Sequence, residues 1–200
     1  RYLNDEKQSG EEDFTPAIHK NGTVKWGSEI ATERIDVSLK TGYVFPSTPY
    51  NSFGFQAAYN SHSQDAYFGL REYDIDHKSF FGNLLFNSIF GSTQNKFKVG
   101  LNFSWDQYLE GVDRIQYSRT DRAIGGFFEY TFDNLDKLNF TAGLRLDHHN
   151  NLGTFLTPRF HLRYNPGERS VFRLSAGQGR KAANIFAENQ ILFGTNRTLE

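Results

Sequence analysis

The 200-residue chain contains no cysteine and no methionine. Without cysteine it can form neither disulfides nor thiolate metal sites, so both are excluded. No methionine stands at the first position, which is Arg1. We therefore expect the chain to be a fragment or a processed product of a longer protein.

Long apolar runs and a strong net charge are missing as well. No stretch approaches the roughly 18 apolar residues that a transmembrane helix needs, and no signal peptide opens the chain. The formal net charge of −1 gives no electrostatic reason to expect a nucleic-acid partner. Helical membrane proteins and nucleic-acid-binding proteins are therefore excluded.

Aromatic side chains are abundant: 20 Phe, 10 Tyr and 2 Trp make up 16% of the chain. This content is too high for a disordered chain, although the mean hydropathy is negative. An alternation of apolar and polar residues explains how the chain can be rich in aromatic side chains and yet polar on average. Between Phe97 and Asp106 apolar and polar residues alternate strictly, which predicts a strand with one apolar and one polar face. Similar segments recur, so we predict about eight strands, no convincing helix and an all-β fold. The other apolar rows lie in Ile35–Phe45, Phe53–Tyr59, Phe80–Phe90, Ile124–Phe132, Leu138–Leu146, Phe160–Tyr164 and Phe172–Ala176.

The connections between these segments alternate in length. Short turn-like sequences lie at Pro46–Pro49, Gly91–Asn95, Asp133–Lys137 and Asn165–Glu168. Longer polar loops are predicted at Ser61–Asp76, Gln107–Arg119, His149–Thr157 and Gln178–Thr198, and residues 1–28 are predicted as a further external loop. Short turns at one end and long loops at the other are typical of an antiparallel transmembrane β-barrel.

Hairpin register and aromatic placement favour the same fold. Folding the chain at Asp133–Lys137 places Tyr130 opposite Phe140 and Ile124 opposite Leu146, so apolar side chains face each other. Folding it at Gly91–Lys96 in the same way sets Phe86 against Leu101 and Leu84 against Phe103. Aromatic residues also cluster beside the short turns, as in a membrane-interface girdle. A soluble β-sandwich that binds carbohydrate and a passive porin-like barrel remain alternatives.

Two stretches carry a resemblance to a known family. Lys40–Pro46 reads Lys-Thr-Gly-Tyr-Val-Phe-Pro, and Phe172–Asn189 contains Arg-Leu-Ser-Ala-Gly-Gln-Gly-Arg followed by Ala-Asn-Ile-Phe-Ala-Glu-Asn. Both resemble barrel segments of TonB-dependent outer-membrane receptors of the kind common in Bacteroidetes. Ala142–Asp147 and Thr157–Phe160 are similar to the same family, so the resemblance covers most of the chain from about Lys40 onward.

The resemblance implies an architecture and a function. Such receptors close a barrel of 22 strands around an N-terminal plug domain, so this chain would be a middle part of the barrel, without its plug. It implies import of a scarce nutrient, such as an iron–siderophore complex, cobalamin or a glycan, across the outer membrane of a Gram-negative cell. The implied partners are outer-membrane lipid, the plug domain, the TonB complex through the missing N-terminal region, and a small-molecule or glycan ligand. The resemblance implies neither an enzyme activity nor a cofactor.

Two groups of candidate functional residues follow. A polar row expected to face the barrel lumen holds Arg145, Asp147, Arg159, His161, Arg163 and Arg173. Folding the chain at Asn165–Ser170 places Arg163 near Arg173 and His161 near Ser175. The row can be interpreted as a basic wall that meets an anionic ligand or the plug, or as wall charges neutralised by carboxylates, plug residues and water. Ligand contacts from external loops are expected from Arg180, Asn184, Glu188, Asn189, Tyr67, Arg71 and Tyr73.

No pattern predicts a metal site or catalysis. His148 and His149 are adjacent on a strand, point to opposite faces and cannot easily bind one ion together. Gly177–Lys181 lacks the following helix and βαβ frame of a phosphate-binding loop. No serine, histidine and aspartate have the spacing of a hydrolase triad.

Overall fold

The computed structural model describes residues 1–134, 137–167, 169–189 and 193–194, which form a single antiparallel sheet of nine strands in sequence order. The all-β prediction is confirmed, with nine strands rather than about eight. No helix among the described residues is long and apolar enough to cross a membrane. The elements are β1 (Tyr2–Gly10), α1 (Pro16–His19), β2 (Gly27–Val44), β3 (Ser52–Phe68), β4 (Arg71–Phe90), β5 (Ser92–Val112), β6 (Ile115–Asn134), β7 (Leu138–His149), β8 (Gly153–Gly167), β9 (Ser170–Gly177) and α2 (Ile185–Glu188).

Three of the predicted long loops are wrong, because the strands continue through them to tight turns. Residues 69–70, 113–114 and 150–152 are all that separate β3 from β4, β5 from β6 and β7 from β8. Gly69 and Asp113 have positive φ angles of 64° and 54°, the left-handed conformation that such tight turns use. The sequence did not reveal these strand ends because both of their faces are largely polar, so no alternation of hydrophobicity marks them.

The prediction of a loop over residues 1–28 is wrong for β1. Tyr2–Gly10 pairs with β2 from Tyr2 opposite Ile35 to Gly10 opposite Gly27. Its sequence is polar on both faces, and backbone hydrogen bonds hold it in the sheet without an apolar row. The predicted loop at residues 178–198 is irregular over 178–184 and includes α2, and residues 190–192 and 195–198 lie outside the described part of the chain.

The hairpin registers predicted at Asp133–Lys137 and Gly91–Lys96 are wrong by two residues, although the faces are right. Tyr130 lies opposite Ala142, and Leu84 opposite Leu101. The β6–β7 turn is tighter than expected, because Asn134 already pairs with Leu138. A shift by two keeps every side chain on its predicted face, which explains why the alternation predicted the faces correctly.

The sheet has two chemically distinct faces along its lower part. The apolar face carries the row that includes Leu101, and the polar face carries the row that includes Asn102. On β4 the apolar face is apolar from Phe80 to Phe90, and we call the corresponding rows of all strands the apolar band. Ten residue steps cover roughly 33 Å of strand, or about 25 Å of height at a tilt near 45°, which matches the apolar band of outer-membrane barrels.

Above the apolar band, both faces of the sheet become largely polar. On β4 the apolar-face row continues from Phe80 to Lys78, Asp76 and Asp74. We call this part, between the apolar band and the turns at residues 69–70 and 113–114, the upper region. Buried polar side chains lie on the polar face throughout: Ser28, Gln64, Asn102, Glu110, Asp121, Glu129, Asp147 and His149.

Candidate functional site

Charge pairs occupy the lower part of the polar face. Glu129, whose side chain is 11% exposed, forms an ion pair with Lys98 at 3.3 Å and a second one with Arg159. Arg159 crosses the backbone of β7 at Gly143, where an added Cβ would lie 2.9 Å from its Nε. The glycine therefore allows a cation of β8 to reach a carboxylate of β6.

A second pair lies four residues further along the strands, where Asp147 of β7 is opposite Gly125 of β6. Asp147 has a side-chain exposure of 5%, and Arg145 donates to its carboxylate from Nε at 2.7 Å. Asn102 accepts from Arg145 Nη2 at 2.8 Å and donates to the carbonyl of Gly125 at 3.1 Å. An added Cβ at Gly125 would overlap the carboxylate of Asp147. Because a buried charge is costly without partners, these contacts explain how Asp147 can be buried.

The remaining cations of the predicted wall lie near the edge formed by β8 and β9. Arg163 lies directly opposite Arg173, and His161 Nδ1 lies 2.9 Å from the hydroxyl of Ser175, as the sequence predicted. Among the described residues, Arg163 and Arg173 have no ion-pair partner. Like charges opposite each other on neighbouring strands repel, and an anionic group bound between the two arginines would relieve this repulsion.

In the upper region, cationic and aromatic side chains align across five strands. Successive pairs place them on one rung of the polar face, and the next rung toward the apolar band carries carboxylates and small polar groups. The first rung is Arg34, His62, His77, Tyr108 and Arg119, and the second is Asp36, Asn60, Ser79, Asp106 and Asp121. The rungs neutralise each other by the pairs Arg34–Asp36 at 2.9 Å, His77–Asp106 at 3.0 Å and Arg119–Asp121 at 3.1 Å.

Of the arginines and histidines in the first rung, His62 is the one without an ion pair to a carboxylate of the second rung. Burial lowers the pKa of its imidazole, and the nearby charges of Arg34 and His77 lower it further. The ring is therefore held in its neutral form near pH 7.

Stacked rings support the other end of this rung. The rings of His77 and Tyr108 are parallel within 3° at a centroid distance of 4.2 Å. The guanidinium carbon of Arg119 lies 4.6 Å from the centroid of the Tyr108 ring, and Arg119 Nη1 donates to the backbone carbonyl of Ala183 at 3.0 Å. Arg119 thus connects the sheet to the chain segment that follows β9.

The segment after β9, by which we mean residues 178–189 and 193–194, folds back over the polar face of the upper region. Tyr73 is fully buried beneath it, with the ring of Phe193 stacked on it at 5.1 Å and that of Phe186 at 6.5 Å. The hydroxyl of Tyr73 donates to Glu110 at 2.9 Å, and burial together with this bond raises the pKa of Tyr73 well above its usual value. These rings form the main buried apolar cluster of the described residues.

Hydrogen bonds within the segment define its shape. Asn184 caps α2 by accepting from the backbone N–H of Ala187 at 3.2 Å, and Asn189 donates to the carbonyl of Ile185 at 2.7 Å. Glu188 accepts from Lys181 at 2.7 Å, and this bond holds the pKa of the Glu188 carboxyl below its usual value. The segment is thus an ordered structure.

A cleft of about 530 Å³ lies between this segment and the sheet, and we call it the mouth cleft. Its chemistry is mixed, since carboxylates, aromatic rings and basic groups all face it. Arg180 lies over the ring of Phe155, 5.2 Å from its centroid, at one side of the cleft. The lining of the cleft includes Asp106, Tyr108, Asp121, Asp147, Phe155 and residues 178–182.

His149 also lines the mouth cleft and is 8% exposed. Its Nδ1 accepts hydrogen bonds from the backbone N–H groups of Asn151 and Leu152, at 3.1 and 3.2 Å. The proton of a neutral His149 ring is therefore on Nε2. His148 lies on the opposite face, with Nδ1 2.9 Å from the Thr154 hydroxyl, so the two histidines are separated as the alternation predicted.

The family assignment follows from a comparison with protein-family models. The model described as "TonB dependent receptor-like, beta-barrel" matches residues 4–199. The chain belongs to this family. The resemblance found in the sequence is thereby confirmed, and the sheet is part of a receptor barrel.

Solved structures share the fold of this receptor barrel. The siderophore receptor PirA from Pseudomonas aeruginosa is 14% identical, with a TM-score of 0.58 over 81% of this chain and 31% of that chain. The alcaligin outer-membrane receptor FauA from Bordetella pertussis is 10% identical, with a TM-score of 0.54 over 72% of this chain and 29% of that chain. This chain therefore spans about a third of the length of these receptors. No curated protein matches it.

Within the receptor barrel, the predicted ligand residues occupy different environments. Tyr67 and Arg71 flank the tight turn at residues 69–70 and are not in a long loop. Tyr67 is 3% exposed, with Lys20 Nζ 4.7 Å from its ring centroid on the apolar-face side. Tyr73 is buried on the other face. The structure brings Arg145, Asp147 and Arg180 together around the mouth cleft.

Sequence reasoning missed several residues of this site. Asp106 was placed on the polar face but was not named as a site residue, whereas Asp121 and Phe155 lay in or beside segments predicted as loops, so their faces were not assigned. Arg119 was the end of a predicted loop. A continuing period of two in polar residues, with histidine and aspartate on one parity, was the signal that could have identified these positions.

Proposed function

We propose that the complete protein is an outer-membrane TonB-dependent receptor that imports an iron–siderophore complex and contacts it in the mouth cleft. The observation that carries this proposal is the mouth cleft itself, which lies on the polar face of a receptor barrel and reaches from Asp147, at the level of the apolar band, to Tyr108 in the upper region. The upper part of the cleft lies on the extracellular side of the lumen if the opposite end of the sheet, which carries the turns at residues 45–51 and 91, is periplasmic.

The chemistry of the mouth cleft suits a ligand with oxygen acceptors and planar rings. Two of its three carboxylates, Asp121 and Asp147, form ion pairs with Arg119 and Arg145, and the third, Asp106, accepts a hydrogen bond from His77. The guanidinium of Arg180 and the ring of Phe155 offer a cationic donor and a stacking surface. The names of the two solved receptors, which refer to a siderophore and to alcaligin, support a siderophore before cobalamin or a glycan.

The other predicted residues take supporting roles in this proposal. Asn184, Glu188, Asn189 and Tyr73 would hold the segment that covers the cleft, since their polar groups bond within it or beneath it. Tyr67 and Arg71 are proposed as outer contacts near the tip of the β3–β4 hairpin.

The lower wall is proposed to face the plug domain. His161, Arg163 and Arg173 lie on the polar face at the end of β8 and β9 near the short turn, as does Arg159 one rung further. They are suited to plug carboxylates. Energy would reach the receptor through the TonB complex, and no covalent change to the ligand is proposed.

Uptake of radioactive iron by cells tests the function. A strain that lacks the receptor gene, grown without iron, is supplied with ferric siderophores and with the full-length receptor or its variants. We expect Arg180→Ala and Phe155→Ala to weaken binding about tenfold, as the loss of roughly 1.4 kcal/mol predicts. Arg122→Ala is the matched control, because Arg122 lies on the apolar-face side of the upper region.

Three outcomes count against the proposal. Uptake that is unchanged in the gene-deleted strain excludes this ligand class for the receptor. Uptake that continues without TonB supports a passive porin-like barrel instead. Equal loss with Arg122→Ala and Arg180→Ala places the ligand elsewhere than in the mouth cleft.

A further inference from the structure

Among the described residues, Arg119 makes the only side-chain hydrogen bond between the sheet and residues 178–189, which border the mouth cleft. Its Nη1 donates to the carbonyl of Ala183 at 3.0 Å, directly after the residues 178–182 that line the cleft. The other described polar link is a backbone bond at the start of this segment, from the N–H of Gln178 to the carbonyl of Pro158 at 3.0 Å. The other described contacts between this segment and β4 or β6 are aromatic, through Phe186 against Tyr73 and Tyr117 at 6.5 and 5.0 Å.

Asp121 and Tyr108 fix the orientation of the Arg119 guanidinium, and Asn151 in turn holds Asp121. Asp121 lies 3.1 Å from Arg119 Nε and has a side-chain exposure of only 8%. Asn151 donates to the same Asp121 carboxylate at 2.7 Å, so the carboxylate is itself held from the β7–β8 turn. Tyr108 forms the flat surface beneath the guanidinium at 4.6 Å. A planar guanidinium held on one face and at one edge can direct its remaining donors at a single backbone carbonyl.

Tyr108, which supports Arg119, is itself held in place by side chains of the neighbouring strand β4. His77 is parallel to Tyr108 at 4.2 Å and donates to Asp106 at 3.0 Å. Asp106, Tyr108 and Asp121 all line the mouth cleft, so Arg119 and the wall of the cleft share the same supports.

We propose that Arg119 is a positioning residue that holds residues 178–183 at a fixed distance from the sheet and so sets the width of the mouth cleft. Its importance for ligand uptake rests on the proposed function, but its effect on the segment does not. Without the bond to Ala183, the segment keeps its internal bonds, its aromatic contacts and the bond from Gln178 to Pro158 at its start, and the part around Ala183 moves relative to the sheet.

A distance measurement between two spin labels tests this proposal directly. The 200 residues contain no cysteine, so labels can be placed at Ile185→Cys, which is exposed at the start of α2, and at Lys78→Cys on β4, after any cysteine elsewhere in the full-length receptor has been replaced by serine. The measurement uses the full-length receptor, without ligand. We expect Arg119→Met to shift and broaden the distance distribution, and Arg119→Gln to do the same.

The matched control is Arg122→Met, three residues along β6 and on the other face of the sheet, which should leave the distribution unchanged. A heat-modifiable band on gels shows for each variant that the barrel has folded. An Arg119 variant that folds with the parental distribution overturns the proposal, and so does an equal shift with Arg122→Met. Because no ligand is present, failure to import siderophores would leave this result standing.

Discussion

The apolar band and the upper region are built from the same strands but are stabilised in different ways. In the apolar band the outward row of side chains is largely apolar. Large residues of this row, such as Leu101 (61% exposed) and Ile124 (61% exposed), remain exposed on the outer face of the sheet. In the upper region both faces are largely polar, yet Tyr73 is fully buried. The first region needs lipid to cover it, whereas the second is covered by its own chain.

The difference shows that strand length and membrane thickness are independent in this barrel. β4 and β6 have 20 residues each and β5 has 21, about twice the number needed to cross a bilayer at a tilt. The additional half builds a wall beyond the membrane, where polar rungs and the segment after β9 form the mouth cleft. Substitutions at equivalent positions in the two regions should therefore have unequal effects.

The largest difference is expected from an added charge on the apolar face. Leu101→Arg lies within the apolar band of β5 and should destabilise the receptor in lipid by about 2–4 kcal/mol, because the cation is forced into hydrocarbon. Leu109→Arg lies on the same face of the same strand in the upper region and should have almost no effect. Urea unfolding of the full receptor in lipid vesicles measures both. Equal destabilisation would remove the distinction between the two regions.

The next prediction concerns the two faces within the lower part. Gly125→Ala adds a methyl group where the carboxylate of Asp147 lies, which displaces Asp147 from Arg145 and should cost about 1–3 kcal/mol. Gly126→Ala is the control, because its Cβ would lie in ordinary contact with Leu101, 3.5 Å away. Unfolding in vesicles compares them. A larger loss for Gly126→Ala would contradict the packing described for the polar face.

A smaller effect is expected for the buried hydroxyl of the upper region. Tyr73→Phe leaves Glu110 without its partner and should cost about 1–2 kcal/mol, seen as faster hydrogen exchange in the segment around α2. Exchange that is unchanged around α2 would show that the hydroxyl contributes nothing to closure of the segment.

The raised pKa of Tyr73 gives this contact a pH dependence. The neutral phenol is favoured in the folded state, so its contribution is fully present below the ordinary tyrosine value of about 10 and is lost as the pH rises through the raised value. The difference in phenolate absorbance between the parent and Tyr73→Phe should therefore develop only above pH 10. A difference that develops at the ordinary value would show that the side chain is exposed.

The smallest effect is expected from Glu188→Gln in the exposed part of the segment. Because Lys181 lowers the pKa of Glu188, the stabilisation is present above the ordinary value of 4.5 and is lost as the pH falls through the lowered value. Exchange at the amides of α2 should increase at low pH in the parent, and the Gln variant should show no such dependence. The same increase in both would assign the change to another group.

Sequence reasoning succeeded where one face of a strand is apolar. The rows through Phe97 and Phe128 predicted the strands, their faces and the short turns, because a period of two is visible only when the two faces differ. The same reasoning failed from Ser61 to Asp76, where both faces are polar. It also failed by two residues in the register of the β4–β5 and β6–β7 hairpins, since a shift of two leaves the faces unchanged.

The residues of the candidate site were likewise predicted where a local pattern exists and missed where their contacts are distant in the sequence. Arg145, Asp147 and the pair Arg163–Arg173 were predicted from parity and hairpin folding, and the structure places them on one face. Arg119 and Phe155 were missed, because their contacts are with residues 64 and 25 positions away in the chain. Separations of this size are set by the fold of the segment after β9, and no local pattern contains them.

The sequence by itself determined an alternating chain with an outward apolar row, an inward polar row and short turns at one end, and its motifs determined the family. These properties depend on side-chain parity, which is local. Only the tertiary structure decided how far the strands continue, which rungs align, and where the segment after β9 lies. Backbone hydrogen bonds pair polar strands as well as apolar ones, and the contacts of Arg119 and Tyr73 exist only after distant parts of the chain meet.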